Sequence, residues 1–219
     1  METHWINIHT HRPGTGINIV DPCLGEVERG TEGIVYFSAG IHPMYIGKGT
    51  EQRLAEIARA AAAGEIVAVG EAGLDRNSPT PMNEQLMWFE RQAEIAGRYS
   101  LPLIIHGVRA VPELIAAYNR CRSCKNWIMH GFNNRREILQ DLLRHGFYIS
   151  VGRQVMNEES HVYRLLPEIP ADRLFIETDN SDYTIEDVYR KVAERRGLPV
   201  EELQRIIQTN FKEVFAFEL

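Results

Sequence analysis

The sequence predicts an α/β protein built as a single (β/α)8 barrel of the TIM type, shortened near its N-terminus. Short runs of β-branched and aromatic residues alternate with amphipathic helical segments, which is typical of a parallel sheet covered by helices. Eight such runs can be counted, the number that closes a barrel. No long linker or repeat interrupts the pattern, so we expect one domain over residues 1–219.

Four strands and one helix are predicted in the N-terminal third. β-branched and aromatic residues predict strands over 5–8, 17–20 and 34–39, and only a Pro- and Gly-containing loop separates the first two. Leu54 and Ile57 lie on one face of a predicted helix over 51–63, which Gly64 ends. The nearly continuous apolar run over 66–69 indicates a strand that is buried on both faces.

Helix and strand then alternate to the end of the chain. Apolar residues at helical spacing, such as Leu86 and Phe89, predict a helix over 83–98. Gly146 ends a helix predicted over 135–145, and Thr184 is an N-cap for one predicted over 184–196. The same signals predict the remaining helices over 111–120, 159–166 and 200–208, and strands over 103–105, 127–129, 147–150 and 174–177.

Composition and charge limit the partners that this protein can have. With 219 residues, 44% of them hydrophobic, the chain can bury a large core. Its net charge of −6 gives no overall attraction for a polyanion, so a nucleic acid would have to be bound locally. Residues 1–4 do not resemble the start of a signal peptide, and three cysteines fit a reducing cytoplasm. The sequence indicates neither a membrane span nor an obligate protein partner.

Two histidines follow the first predicted strand. Side chains on a strand alternate between its faces, so Asn7, His9 and His11 share one face. Neutral imidazole is the commonest metal-binding side chain, and such a pair could bind a metal. Two ordinary strand histidines would show the same pattern, so the other strand ends must decide.

Those strand ends carry more metal-binding residues. Glu71, His106, His130 and Asp179 each stand at the carboxyl end of a predicted strand. In a barrel these ends meet on one face, where active sites lie. Clustered ionisable groups need partners or a metal, and six donors exceed one tetrahedral site. We therefore expect two divalent metals bridged by a carboxylate.

Six motifs occur in order along nearly the whole chain. They are Asn7-Ile8-His9-Thr10-His11, Gly40-Ile41-His42-Pro43, Val69-Gly70-Glu71-Ala72-Gly73-Leu74-Asp75, Leu101-Pro102-Leu103-Ile104-Ile105-His106, His130-Gly131-Phe132 and Glu177-Thr178-Asp179. This ordered set resembles the TatD family of metal-dependent hydrolases. Gln85, Phe89 and Gln92 resemble the family's helix after the Glu motif, and Thr209-Asn210 resembles its C-terminal signature.

The resemblance implies a reaction and a cofactor. It implies an amidohydrolase-type barrel that binds two divalent metals. The histidine-rich ligand set suits zinc, and its two carboxylates also tolerate magnesium or manganese. It also implies deoxyribonuclease activity, in which a metal-activated water cleaves a phosphodiester. Asp179 and Glu71 would be the catalytic residues, and Asp179 can act as the general base. The expected substrates are short DNA or single-stranded DNA ends.

Residue by residue, the resemblance also implies the ligands of each metal. The first metal would be bound by His9, His11, Glu71 and Asp179, and the second by Glu71, His106 and His130, with Glu71 as the bridge. His42, Arg76 and Arg109 are the expected substrate-binding residues. Arg12, Lys48 and Arg153 also lie on loops near the predicted barrel mouth, where they could bind phosphate or stay solvated.

The chain departs from the family pattern on its substrate-facing loops. Asn7 replaces the usual Asp, and we expect it to hydrogen-bond a ligand imidazole without supplying charge. Only 30 residues lie between His11 and His42, so the first helix is expected to be missing. Val108 stands where the family carries Arg, and Asn180-Ser181 replaces Ala-Pro after Asp179.

Two other functions remain open at this stage. A related amidohydrolase-like enzyme could use the same centre to cleave an ester, a lactone or an amide. A barrel that has lost turnover could instead act as a metal-containing binding protein. Separately, Cys121 and Cys124 form a Cys-x-x-Cys, which could be a redox or zinc pair or simply two thiols in a loop.

Overall fold

The expected barrel is confirmed. The computed structural model describes residues 4–22 and 33–216. Eight parallel strands form one sheet in sequential order, so each strand pairs with the next one along the chain. They are β1 Ile6–Thr10, β2 Ile17–Val20, β3 Ile34–Ala39, β4 Ala68–Asp75, β5 Leu103–Val108, β6 Trp127–Met129, β7 Tyr148–Val151 and β8 Leu174–Ile176. That a single domain spans 1–219 stays a prediction.

Seven α-helices of the described residues cover the outside of this sheet. They are α1 Thr50–Ala63, α2 Met82–Arg98, α3 Val111–Arg120, α4 Arg136–Arg144, α5 His161–Leu165, α6 Ile185–Arg196 and α7 Val200–Phe215. The last helix is much longer than the predicted 200–208, because Phe211 and Phe215 continue its buried stripe. Strand β4 begins at Ala68 and runs on to Asp75, so the predicted 66–69 marks only its start.

The barrel closes between its first and last strands. Thr10 at the end of β1 forms a parallel bridge with Asp179, just beyond β8. The amide of Asp179 donates to the carbonyl of His9 at 3.0 Å, and the amide of His11 donates to the carbonyl of Asp179 at 3.1 Å. The closure therefore fixes the backbone of Asp179 against both histidines.

The expected shortening is seen between β1 and β2. Only residues 11–16 connect these strands, and they form a loop without a helix. On β3, Ile34 and Phe37 are 53% and 39% exposed, because no helix of the described ranges packs over them. Elsewhere the strands carry the buried apolar core of the barrel.

Asn7 has a different role from the one expected. Its amide nitrogen donates to the Thr178 hydroxyl at 2.8 Å, and its amide oxygen accepts from the Thr178 backbone amide at 3.1 Å. The amide nitrogen also lies 3.5 Å from the Asn18 side chain. In the described part of the chain Asn7 hydrogen-bonds no imidazole, so that expectation is wrong. Asn7 instead links β1 to the segment after β8.

Cys121 and Cys124 are free, buried thiols after α3. Burial raises the pKa of Cys121 to about 11 and that of Cys124 to about 12. A thiol that stays protonated is a poor nucleophile and metal ligand, which favours the interpretation as two loop thiols. Among the described residues, no helix is long and apolar enough to cross a membrane.

The contact between α6 and β1 depends on one buried hydroxyl. Tyr189 accepts from the amide of Ile6 at 3.2 Å and donates to its carbonyl at 3.0 Å. We expect Tyr189→Phe to lower the free energy of unfolding by about 1–3 kcal/mol, because it leaves buried backbone groups unpaired. Urea denaturation measures this, with Tyr183→Phe at an exposed position as the control. Equal stability of both variants would contradict the prediction.

Candidate metal centre

The six expected metal-binding residues lie together at the carboxyl ends of the strands. His9 lies near the end of β1 and His11 directly after it, Glu71 lies in β4 and His106 in β5, while His130 and Asp179 follow β6 and β8. A cavity of about 220 Å³ opens over them. Its wall consists of His11, Asp21, His42, Tyr45, Glu71, His106, His130, Asp179 and Asn180.

Glu71 occupies the middle of this cluster. Its Oε1 lies 2.8 Å from both His106 Nδ1 and His130 Nε2, and its Oε2 lies 3.6 Å from His9 Nε2. Burial opposes ionisation of this carboxylate, but the facing imidazoles outweigh burial and hold its pKa well below the usual range. The shared carboxylate is what a bridge between two metals requires.

Asp179 faces the two histidines of β1. Its Oδ1 lies 3.5 Å from His11 Nε2 and 3.8 Å from His9 Nε2. The Asp179 side chain is 29% exposed, whereas that of Glu71 is 9% exposed. Asp179 can therefore reach water in the cavity, which a general base needs.

The donor set fits divalent metal ions. Both ring nitrogens of His9 are buried without a hydrogen-bond partner among the described residues, which would be costly if they bound nothing. Donor atoms of His9, His11 and Glu71 lie within 4.8 Å of one another. So do those of His42, Glu71 and His106, which makes His42 a candidate metal ligand as well. The two groups share Glu71, in agreement with a bridging role.

Two carboxylates behind the cluster hold its imidazoles in place. Asp75 Oδ2 lies 3.0 Å from His106 Nε2, and Glu177 Oε1 lies 3.2 Å from His130 Nδ1. Burial disfavours the charged form of His130, but Glu71 and Glu177 outweigh burial and raise its pKa well above the usual value. Carboxylates in this position orient a ligand imidazole and increase its basicity.

These outer carboxylates were not identified from the sequence. Asp75 and Glu177 stand inside motifs quoted above, so their place in the motifs was the available signal. Asp21 was missed as well. Its Oδ2 accepts from the Glu71 amide at 2.9 Å, and its carbonyl lies 3.0 Å from His11 Nδ1. Asp21 thus positions both Glu71 and His11.

Removing an outer carboxylate should weaken metal binding. We expect Glu177→Gln and Asp75→Asn each to lower metal affinity about 10–100-fold, because His130 or His106 loses its orienting partner. Calorimetric titration of chelator-treated protein with Mn²⁺ measures the affinity. Glu168→Gln, on a surface ion pair with Arg136, is the control. Unchanged affinity in both variants would show that these carboxylates have no such role.

Two glycines allow the strands to approach one another at the centre. A Cβ on Gly73 would lie 1.9 Å from the carbonyl oxygen of His106, and one on Gly40 would lie 2.4 Å from that of Glu71. No side chain can be accommodated at such distances without moving the backbone. The glycines of these two motifs therefore set the spacing of β3, β4 and β5 beneath the candidate metal-binding side chains.

His42 lies next to the cluster itself. Contact with substrate alone would not require it to be so close to Glu71. Its Nε2 is 3.5 Å from Glu71 Oε1, and its Nδ1 accepts from the Met44 amide at 3.1 Å. Burial lowers the pKa of His42 to about 4, although Glu71 opposes the shift. The ring is therefore neutral near pH 7 and able to act as a ligand.

The two arginines expected to bind substrate lie outside the cavity wall. Arg76 forms an ion pair with Glu113, and its Nε donates to the carbonyl of Arg109 at 2.8 Å. The Arg109 side chain is exposed on the loop between β5 and α3. Substrate binding by His42, Arg76 and Arg109 stays a prediction.

Comparison with known proteins identifies the family. Residues 13–216 match the family model described as TatD related DNase. The chain belongs to this family. The TatD assignment, the hydrolase class and the nuclease class expected from the sequence are thereby confirmed. The match begins after His9 and His11, so the case for these two residues as metal ligands depends on the geometry above.

Individual TatD relatives agree with this assignment. The chain is 31% identical to the 3'-5' ssDNA/RNA exonuclease TatD of Enterobacter lignolyticus, over 85% of this chain and 72% of that protein. It is 29% identical to the uncharacterized metal-dependent hydrolase YabD of Bacillus subtilis, over 83% and 77%. A TatD family hydrolase from Entamoeba histolytica has the same fold, with a TM-score of 0.76, 16% identity and 98% of each chain covered.

Proposed function

We propose that this protein hydrolyses phosphodiester bonds at the ends of short or single-stranded nucleic acids. The observation that supports this most is the partly exposed Asp179 beside the buried Glu71, with imidazoles on both sides, in an open cavity. The printed name of the Enterobacter relative, a 3'-5' ssDNA/RNA exonuclease, supports the same class of substrate.

Two divalent ions are part of this proposal. His9, His11, Glu71 and Asp179 would hold one, and Glu71, His106 and His130 the other, with His42 close enough to contribute. The chemistry that such ions supply is polarisation of phosphate oxygens and acidification of water. The donor set contains nitrogen and oxygen ligands, which suit zinc and also tolerate magnesium or manganese.

The protein's own groups divide the remaining work. Asp179 Oδ1 points into the cavity between the β1 histidines, where it can accept a proton from the attacking water. Glu71 stays ionised because the imidazoles lower its pKa. Glu177 and Asp75 keep the rings of His130 and His106 oriented throughout the reaction.

A metal and substrate panel tests this function. Chelator-treated protein is given Mg²⁺, Mn²⁺ or Zn²⁺, its metal content is measured by plasma mass spectrometry, and it is assayed on a single-stranded oligonucleotide. A carboxyl ester, a lactone and an amide are assayed in parallel. We expect metal-dependent loss of terminal nucleotides. Cleavage of the ester, lactone or amide alone would establish the amidohydrolase alternative, and metal binding without any hydrolysis would establish a binding protein.

Single strands should be better substrates than long duplexes. The chain carries a net charge of −6, so few cations outside the mouth can contact duplex phosphates. We expect the rate on a short single strand to fall gently with salt, with a log–log slope on the order of one or two counterions. A salt series on a short strand and a long blunt duplex measures this. Equal rates, with a steep slope on the duplex, would reveal an extended basic surface.

We also propose a cytoplasmic location for this hydrolase. The support is its cysteine content, since the chain has three cysteines and the two described ones are free. Unpaired thiols of this kind are typical of a reducing compartment.

A further inference from the structure

The cavity over the metal centre is too small for a whole oligonucleotide end. Its volume of about 220 Å³ lies below the roughly 300–1,000 Å³ of pockets that enclose a small-molecule ligand. A second cavity of about 150 Å³ adjoins it. Both cavities are lined by His106, His130 and Asp179, so they meet at the centre. A strand bound at the centre can therefore extend into both.

Arg153 supplies positive charge in the second cavity. It follows β7, lines this cavity, and has an exposed side chain. Within the described ranges, its guanidinium has no hydrogen bond or ion pair. Two other arginines near the mouth are engaged, since Arg76 pairs with Glu113 and Arg12 pairs with Asp182. Arg153 is thus available for an anion, and guanidinium binds phosphate well.

Tyr45 supplies an aromatic surface in the first cavity. It ends the short 3-10 turn Pro43–Tyr45, and 46% of its surface is exposed. Its ring lies 5.6 Å from the ring of His42, which faces Glu71. Bases of single-stranded nucleic acids stack on exposed aromatic rings next to positively charged grooves. A duplex would keep its bases paired and away from this ring.

We propose that a single strand lies across the centre from Tyr45 to Arg153. One base beside the scissile phosphate stacks on the Tyr45 ring, and the next phosphate on the other side binds the Arg153 guanidinium. This path rests on the proposed function and specifies how that site selects a nucleic acid strand rather than a lone phosphodiester. It makes Arg153 and Tyr45 substrate-positioning residues that do not contact the reacting atoms.

Binding of the neighbouring phosphate by Arg153 is tested with substrates that carry different numbers of phosphates. A dinucleotide carries only the scissile phosphate, whereas a trinucleotide carries one more. We expect Arg153→Gln to lower kcat/KM about tenfold on the trinucleotide and little on the dinucleotide, with partial recovery in Arg153→Lys. The log–log salt slope for the trinucleotide should become about 0.7 shallower. The control is Arg144→Gln, which removes an exposed charge at the end of α4.

Stacking of a base on Tyr45 is tested with a substrate that lacks this base. We expect Tyr45→Ala to lower kcat/KM about tenfold on a dinucleotide with both bases, and little on an analogue whose base is missing next to the scissile phosphate. Tyr45→Phe should keep the wild-type preference. Tyr183→Ala is the matched control, because Tyr183 is also 46% exposed but lies outside both cavities.

Failure of the path and failure of the function give different results. Equal losses on all substrates, or no loss on any, would overturn the path while leaving phosphodiester hydrolysis intact. If the wild type cleaves no phosphodiester, the proposed function fails. The path is then judged from the fluorescence anisotropy of a labelled oligothymidylate in chelator, where Arg153→Gln and Tyr45→Ala must weaken binding and the two control variants must not.

Discussion

Asp179→Asn is expected to lower kcat about 10²–10⁴-fold on any phosphodiester that the wild type cleaves. Asparagine keeps the shape of the side chain but cannot accept the proton of the attacking water, and a positioned general base contributes a factor of this size. The substitution should leave a metal bound among Glu71, His106 and His130, because the Asp179 carboxylate pairs with His9 and His11 of the other group. Single-turnover kinetics and metal analysis of the same preparation measure both effects.

The control for Asp179 lies three residues away. Asp182 has a 98% exposed side chain and pairs with Arg12 at the surface, so Asp182→Asn should be as active as the wild type. If Asp179→Asn turns over like the wild type, Asp179 has no part in proton transfer. If the variant loses both metals, Asp179 acts chiefly as a ligand, contrary to the division of roles proposed above.

Glu71→Gln should have the largest effect of all, removing both metals and reducing activity by more than about 10³-fold. The Glu71 carboxylate faces His9, His106 and His130 within 3.6 Å, and no other residue in the described part of the chain reaches both halves of the cluster so closely. An amide has no charge and only one acceptor oxygen, so it cannot bridge two cations. Metal content per chain and hydrolysis rate are the measurements.

A nearby glutamate gives the matched control for this change. Glu65, just before β4, pairs with Arg59 at the surface, and Glu65→Gln should keep two metals and full activity. Two metals retained in Glu71→Gln would mean that the ions are held independently, without a carboxylate bridge. One metal retained at the His106 side would likewise contradict a shared ligand.

The architecture could be predicted because strand ends carry local signals. Runs such as Trp127–Met129 and Ile17–Val20 were located at the right residues from their β-branched and aromatic content. The extension of β4 to Asp75 could not be located in this way, because Gly70 and Gly73 are residues that usually weaken or interrupt a strand. Contacts with the neighbouring backbone favour glycine there, and those contacts are not visible in the sequence.

The convergence of the candidate metal-binding residues was largely predictable, whereas the groups that support them were not. The convergence of His9, Glu71 and Asp179 follows from barrel geometry alone. The partners of an imidazole depend on which way its ring turns, so the contact between Glu177 and His130 requires coordinates. The same applies to Arg76, whose pairing with Glu113 depends on side-chain conformation rather than on motif spacing.

The closure of the barrel at Asp179 has a consequence for biosynthesis. Thr10 and Asp179 are 169 positions apart, and Asp179 meets His9 and His11 where these two segments hydrogen-bond. Contacts between such distant segments form late in folding, and a ribosome delivers the N-terminal segment first. A nascent chain thus carries His9 and His11 long before it carries Asp179, the proposed general base. If Asp179 serves as proposed, the chain gains hydrolytic activity only after the last strand has been synthesised and has joined the first.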